Sequence, residues 1–271
     1  MNYFVHASVA ERYARDRPYF HPLVIERIRA FLRLDGPVPM ALDVGCGTGH
    51  STVALAEIAS SVIATDIAPA MLAQAPVHPR IRYLEAAAEN LPIQDGSVDL
   101  LTVTLAFHWF DRVRFFAEAR RVLRERGTLI IVSQGFRSWL LKNAKIAQWF
   151  KDQYFQRFPT PPRNQEPFTD EAAQENGFHF IGREEFTQEL PFSPEQLASN
   201  LVTHSNVIAA VEQGNQSLDE VTAWIVESVR PLFRAPAEPF VFGGEIWYLR
   251  PAPSRSSPAG SSADQLSSPN F

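Results

Sequence analysis

The nine residues Ala41-Leu42-Asp43-Val44-Gly45-Cys46-Gly47-Thr48-Gly49 constrain this chain more than any other stretch. An apolar run from Met40 to Val44 reads as a buried strand, and it ends in alternate glycines, where the backbone must turn sharply and pass close to a ligand. His50 to Ile58 then reads as a helix. Seventeen residues after Gly49, a second apolar run, Ser61 to Ala64, leads into Asp66. A carboxylate there can accept hydrogen bonds from both hydroxyls of a ribose. Strand, glycine loop, helix, strand and acid together point to a nucleoside-bearing ligand.

The glycine spacing distinguishes two kinds of ligand. A dinucleotide loop needs its third glycine three residues after the second, so that the helix can pack on the strand and offer its N-terminus to a pyrophosphate. That position is His50. With glycines at alternate positions, the loop instead resembles motif I of the class I S-adenosylmethionine (SAM) methyltransferases, where it wraps the methionine part of a cofactor without phosphate.

Further segments follow in the order this resemblance requires. Ile81 to Ala86 reads as a third strand, and Ala86 to Pro92 resembles the adenine-binding loop. Val98 to Thr104 reads as a fourth strand, Arg112 to Arg124 as a helix and Gly127 to Val132 as a fifth strand. Alternating strands and helices argue for a parallel sheet covered on both faces. From Tyr13 to Leu249 the chain resembles the methyltransferase type 11 group, and within it the branch of trans-aconitate and malonyl-carrier-protein methyltransferases. That branch carries an N-terminal pattern matched by Tyr13, Arg17-Pro18 and Tyr19, and a His-Trp-Phe-Asp block matched by His108 to Asp111. The resemblance implies an α/β fold: a Rossmann-like, seven-stranded, mostly parallel sheet with helices on both faces, an antiparallel C-terminal strand pair and a helical lid.

The expected organisation is an N-terminal helical arm over residues 1–36, a cofactor-binding core over 37–135 and an aromatic and basic insertion over 136–168. The C-terminal part of the sheet follows over 169–250, with the lid at 194–233 and a disordered tail at 251–271. In the insertion, Leu140, Leu141, Ile146, Trp149, Phe150 and Tyr154 alternate with lysines and arginines at roughly helical spacing. Thr160 to Pro167 breaks that pattern with prolines, and Thr169 to Asn176 reads as a short helix closed by Gly177. Arg183 to Leu190 and Phe240 to Leu249 read as the last two strands. At 271 residues and 45% hydrophobic, the chain can bury one large core. Its single cysteine, Cys46, excludes an intramolecular disulfide and suits a reducing, cytoplasmic setting. Met1 to Ala10 lacks an apolar core behind a basic start, so no secretory leader is expected. No apolar run reaches membrane-spanning length. A net charge of -5 gives no reason to expect nucleic acid as a partner.

The resemblance implies cofactor contacts from Asp43, Gly45, Cys46, Gly47, Gly49, Asp66, Ile67, Ala88, Glu89 and Leu105, and no metal. Asp43 corresponds to the acid near the methionine amino group. Ala87 stands where the wider family has an acid facing adenine, so Glu89 either supplies that carboxylate or anchors the loop. The sulfonium already activates the methyl group, so the enzyme mainly holds an acceptor in line and excludes water. A carboxylate acceptor needs no base, whereas a hydroxyl needs one, and His108 can serve. His108 otherwise binds substrate or fixes its loop. Trp109 either lines the acceptor pocket or fills the core. Arg17 can pair a substrate carboxylate through two hydrogen bonds, or sit at the surface. Tyr13, Tyr19 and His204 complete the substrate candidates, and Ser205 reads as a helix cap.

A small acidic or acyl metabolite with O-methylation is the favoured reading, with S-adenosylhomocysteine as product and N- or C-methylation as alternatives. A carrier-protein or peripheral contact is allowed by the branch. The chain lacks the Asn/Asp-Pro-Pro-aromatic block of amino-methylating enzymes, having Thr104 to Phe107 there, and Cys46 is committed to the glycine loop, which leaves no nucleophile for cytosine-C5 chemistry. Two other classes remain open from the residues alone: an NAD(P)-dependent oxidoreductase, since Asp66 suits either nucleotide, and a catalytically idle SAM-binding scaffold resting on a membrane through Phe136 to Phe158.

Overall fold

The structure is a computed structural model that describes residues 4–137, 142–164, 166–212, 214 and 216–253. Two helices, α1 (Ala7–Asp16) and α2 (His21–Leu32), precede β1 (Val38–Val44), α3 (His50–Leu55), β2 (Ala59–Asp66), α4 (Pro69–Leu72) and β3 (Ile81–Glu85). Next come β4 (Val98–Thr104), a single 3-10 turn at Phe107–Trp109, α5 (Arg112–Val122) and β5 (Leu123–Phe136). Helix α6 (Ala144–Trp149) runs through a π-helical turn, Phe150–Tyr154, into α7 (Phe155–Arg157). The chain closes with α8 (Asp170–Glu175), β6 (Phe178–Phe192), α9 (Pro194–Leu201), α10 (Ser205–Glu212), α11 (Leu218–Val229) and β7 (Glu238–Pro251).

The seven strands form one sheet in the order β3-β2-β1-β4-β5-β7-β6. The first five pair in parallel. β7 runs antiparallel between β5 and β6. The expected α/β sheet with its antiparallel C-terminal pair is what the chain forms. Strands buried on both faces read as continuous apolar runs. In β4, Leu100 faces a core with Ile28, Leu55 and Ile130, while Leu101 and Val103 face a second core with Phe115, Phe116 and Phe178.

Local signals fix the helix starts. Asp111 caps α5 by accepting from the Arg114 amide, and Thr169 caps α8 through the Ala172 amide. Ser193 with Gln196, and Ser217 with Glu220, form reciprocal capping boxes at α9 and α11. Several boundaries differ from the sequence reading. α3 stops at Leu55 instead of Ile58, because Glu57 and Ile58 close tighter turns onto Ala54 and Leu55 before β2 begins at Ala59. β5 begins directly after α5, at Leu123, instead of at Gly127. β6 and β7 are each longer than the runs read from the sequence, since the ladder continues from Phe178↔Pro251 to Phe192↔Glu238.

A third apolar cluster lies over the end of the sheet, where Ile146, Trp149, Phe150, Tyr154 and Phe158 pack against Leu197, Leu201, Val221, Ile225 and Phe240. These aromatic residues of the insertion are therefore buried against α9 and α11 and are not presented as a free apolar face; Leu140, Leu141 and the tail beyond Pro253 lie outside the described residues. Helix α1 bridges this layer and the sheet. Buried Arg12 donates to the Val202 carbonyl at 3.2 Å and pairs with Glu212 at 3.0 Å, while Ala10 packs with Ala68 and Met71 beside α4.

The tightest backbone approach is between β5 and β7. A Cβ at Gly244 would collide with the Ser133 carbonyl oxygen. Gly244→Ala is expected to cost about 2 kcal/mol or more of unfolding free energy, read by denaturant titration, because the strand pair must part to admit the methyl; an unchanged midpoint would show that the strands can spread freely.

Candidate active site

A cavity of about 660 Å³ opens at the carboxyl ends of β1, β2 and β4, where open α/β sheets place ligands. Its floor is the glycine loop. Gly45, Gly47 and Gly49 have φ of 72°, 54° and 81°, the left-handed region that favours glycine. The loop is pinned from below: the Gly45 and Cys46 amides donate to the Thr65 carbonyl at 2.8 and 3.0 Å. The Gly47 amide donates to the Asp66 carboxylate at 2.8 Å, and the Ala68 amide donates to its other oxygen at 2.9 Å. Burial pushes the Asp66 pKa up, and these amides oppose the shift by favouring the charged form. A Cβ at Gly45 would stand 2.5 Å from the Ala106 Cβ, and one at Gly47 3.2 Å from the end of Met71. Side chains here would fill the cradle.

Asp43 lies beneath the floor and does not line the cavity. It is fully buried and accepts from the hydroxyls of Ser51 at 2.6 Å, Thr52 at 2.7 Å and Thr102 at 2.8 Å. One carboxylate thus ties β1 to the start of α3 and to β4. Gly49 is also outside the lining; it caps α3, and a Cβ there would meet the Tyr83 hydroxyl. Cys46 lines the floor as a buried thiol whose pKa burial raises well above the ordinary value, so it is no ready nucleophile.

The wall after β3 is formed by Ala86 to Glu89, and the exposed Ile67 side chain stands across from it at the rim. Of the two roles open to Glu89, the geometry shows the anchoring one: its carboxylate accepts from the Asp111 amide at 2.9 Å and joins this loop to the His108 turn. Leu105 carries a φ of 59°, rare for a residue with a branched side chain, and its amide bonds the Val132 carbonyl at 3.0 Å. That turn brings Leu105, Ala106, His108 and Trp109 to the cavity wall.

The part of the cavity wall around His108 is cationic. Arg17, Tyr13 and Trp109 line it together with Gln134, Arg163 and Asn164, which the sequence reading did not single out. Arg17 lies over the Tyr13 ring at 4.7 Å and donates to the Thr203 carbonyl at 2.9 Å. Arg163 stands on the proline-rich loop read only as a helix break. That loop is docked by the Asn164 amide, which donates to the His108 carbonyl at 3.1 Å, and by Arg112, which donates to the Glu166 carbonyl at 2.9 Å. Burial, together with Arg163, Arg112 and Arg17, drives the His108 pKa down to about 4, so the ring is neutral near pH 7. Tyr19 and His204 do not line the cavity. Tyr19 is 47% exposed and covers the rings of His21 and His50 from outside. The carbonyl of His204 accepts from the Val207 and Ile208 amides as α10 begins, and burial with nearby Arg17 and Arg163 holds its imidazole well below the usual pKa. Among the described residues no cluster of His, Cys, Asp and Glu could hold a metal.

The sheet order is that of the class I methyltransferase fold. Residues 42–131 match the profile of the type 11 family, described as a methyltransferase domain. The chain is 35% identical over 128 residues to a methyltransferase candidate of Dictyostelium discoideum, covering 47% of this chain and 48% of that one. It is 40% identical over 90 residues to a malonyl-[acyl-carrier protein] O-methyltransferase of Pectobacterium atrosepticum, covering 32% and 36%. The chain thus spans about half or less of these relatives' length. A solved structure of a candidate type II methyltransferase from Anaeromyxobacter dehalogenans superposes with a TM-score of 0.65 at 24% identity, covering 87% of this chain and 97% of that one. S-adenosylmethionine, which class I methyltransferases bind, fits the residues present: Gly45 and Gly47 leave the main chain open at the cavity, His50 stands where a pyrophosphate loop needs its third glycine, and Asp66 lines the cavity.

The depressed histidines give a pH signature. An imidazole titrates near 6.5 when unfolded, but at about 4 for His108 and about 3 for His21 in the fold. Between those values the unfolded chain binds more protons, so stability falls as pH drops from 6.5 toward 4. His108→Gln should flatten part of that slope in melting curves; an identical slope would place the His108 pKa near its ordinary value.

Proposed function

We propose that the protein is a SAM-dependent methyltransferase that methylates an oxygen of a small acidic metabolite. The reading is carried by one observation: a neutral His108 shares its cavity with Arg17 and Arg163, whose charges act on its ring. Bound SAM supplies an activated methyl group, which leaves its sulfonium for a nucleophilic oxygen. The chain's own part is placement. Asp66 receives the ribose hydroxyls, and the glycine loop lets the main chain approach the methionine portion. Arg17 and Arg163 attract and orient a carboxylate through charge-assisted hydrogen bonds. Trp109 and Tyr13 supply apolar wall that excludes water.

The state of His108 favours a carboxylate over a hydroxyl acceptor. A base of pKa about 4 is poorly matched to taking a hydroxyl proton at neutral pH, whereas a carboxylate is already ionised and needs no base. His108 then serves as a neutral hydrogen-bonding group. An acyl acceptor presented by a carrier protein is the second form of this reading, favoured by the Pectobacterium relative's described activity. A cytoplasmic setting is supported by the single free cysteine; among the described residues no helix is long and apolar enough to cross a membrane.

Incubation with methyl-labelled SAM and a panel of mono-, di- and tricarboxylic acids, with mass spectrometry of the products, tests the reaction; label only on amines or carbons, or on nothing, would refute it. Asp66→Ala should weaken S-adenosylhomocysteine binding about 100-fold in calorimetry, since hydrogen bonds to a charged acceptor are each worth about 1.5–3 kcal/mol. Unchanged affinity would remove Asp66 from the ribose site. Arg163→Ala should raise KM for the acidic acceptor about tenfold or more while leaving cofactor affinity in place; an equal loss for both ligands would contradict its placement at the acceptor.

A further inference from the structure

Two histidines outside the acceptor end meet the same cavity. His21 opens α2 and His50 opens α3, and both line the cavity close to Ser51 and Thr104. Their rings lie 5.9 Å apart, and His21 stacks on Phe20 at 4.2 Å. The His21 residue is only 8% exposed, and its Nδ1 is sealed with no hydrogen-bond partner. With no acceptor in reach of Nδ1, the hydrogen of a neutral ring belongs on Nε2. That nitrogen is the one left to face the cavity as a donor. His50 donates to the Ala14 carbonyl, so in its neutral form the other ring nitrogen is an acceptor. Burial and His50 bring the His21 pKa to about 3, and burial lowers that of His50, so both rings are neutral near pH 7.

Sheet order says which part of the cofactor arrives here. The loop after β3 meets the adenine end and Asp66 after β2 the ribose, so the remaining portion extends over β1 toward β4, where Thr104 ends its strand. That portion ends in an α-amino acid, a carboxylate beside an ammonium. Asp43 is unavailable to it, being sealed below by three hydroxyls.

We infer that His21 and His50 form the seat for the amino-acid end of the cofactor, His21 donating through Nε2 to the carboxylate and His50 accepting from the ammonium. The assignment rests on the SAM reading above and goes beyond it, since neither residue belongs to the glycine loop or the ribose acid. A pair of neutral rings recognises a zwitterion without adding net charge, which leaves the field of Arg17 and Arg163 to the acceptor.

The test compares S-adenosylhomocysteine with 5′-methylthioadenosine, which has the same nucleoside and thioether but no amino-acid end. Calorimetry on the wild-type chain should show S-adenosylhomocysteine binding at least about tenfold tighter. His21→Phe should remove about tenfold of that affinity and leave methylthioadenosine binding unchanged; His50→Phe should act in the same direction. His21→Gln, which keeps an N–H donor, should recover part of the preference and serves as the readout where the phenylalanine variant does not fold. Equal loss for both nucleosides, or no loss for either, overturns the assignment. Wild-type protein that binds the two nucleosides equally overturns this inference alone, whereas binding neither overturns the cofactor reading as well.

Discussion

The site depends on one hydrogen bond, from the Gly47 amide to the Asp66 carboxylate at 2.8 Å. It joins the loop after β1 to the end of β2, and it requires a backbone bent into left-handed conformations at Gly45, Gly47 and Gly49. Such a loop holds its shape only when surrounding structure over-determines it. The Thr65 carbonyl grips two of its amides, and Asp43 binds three hydroxyls directly underneath. Burying a carboxylate is costly unless its oxygens are satisfied, and here they are. Rigidity of the floor therefore comes from the Thr65 carbonyl and the Asp43 carboxylate, which lie outside the cavity lining.

Above that floor the cavity is electrically asymmetric. Its lining holds the acid of Asp66 among small residues, and Arg17 and Arg163 acting on His108. The imidazoles are kept neutral by burial, and for His108 by the neighbouring cations as well. Cations gathered without buried acids among them suit an anionic acceptor, whose charge would relieve their mutual repulsion. Helix α1 keeps this part of the wall assembled, because Arg12 and Arg17 both donate to carbonyls of the segment that follows α9.

Much of this was legible in the sequence where chemistry is local. Alternate glycines, the run ending in Asp66 and the continuous apolar β1 and β4 announce themselves within short windows, and they lie where the reading placed them. Asp43 was legible as important, but its three hydroxyl partners come from α3 and β4 and have no signature in its neighbourhood. Arg163 sits in a proline-rich loop that says only that a helix has ended; its approach to His108 arises from tertiary docking by Asn164 and Arg112. His21 and His50 are 29 positions apart and meet only because α2 and α3 begin at the same end of the sheet. His204 drew notice through resemblance, yet it lies outside the cavity wall. The ends of β6 and β7 escaped because Gly182, Pro191, Pro239 and Pro251 break the apparent pattern while the ladder runs on.

The central claim is that a glycine cradle beside a ribose-binding acid holds S-adenosylmethionine. A crystal structure of the protein soaked with S-adenosylhomocysteine measures that most directly. The account predicts density along the glycine loop, with both ribose hydroxyls on Asp66 and the sulfur directed toward the His108 end. Density elsewhere, or a cradle that stays closed to a saturating concentration of the nucleoside, would contradict it.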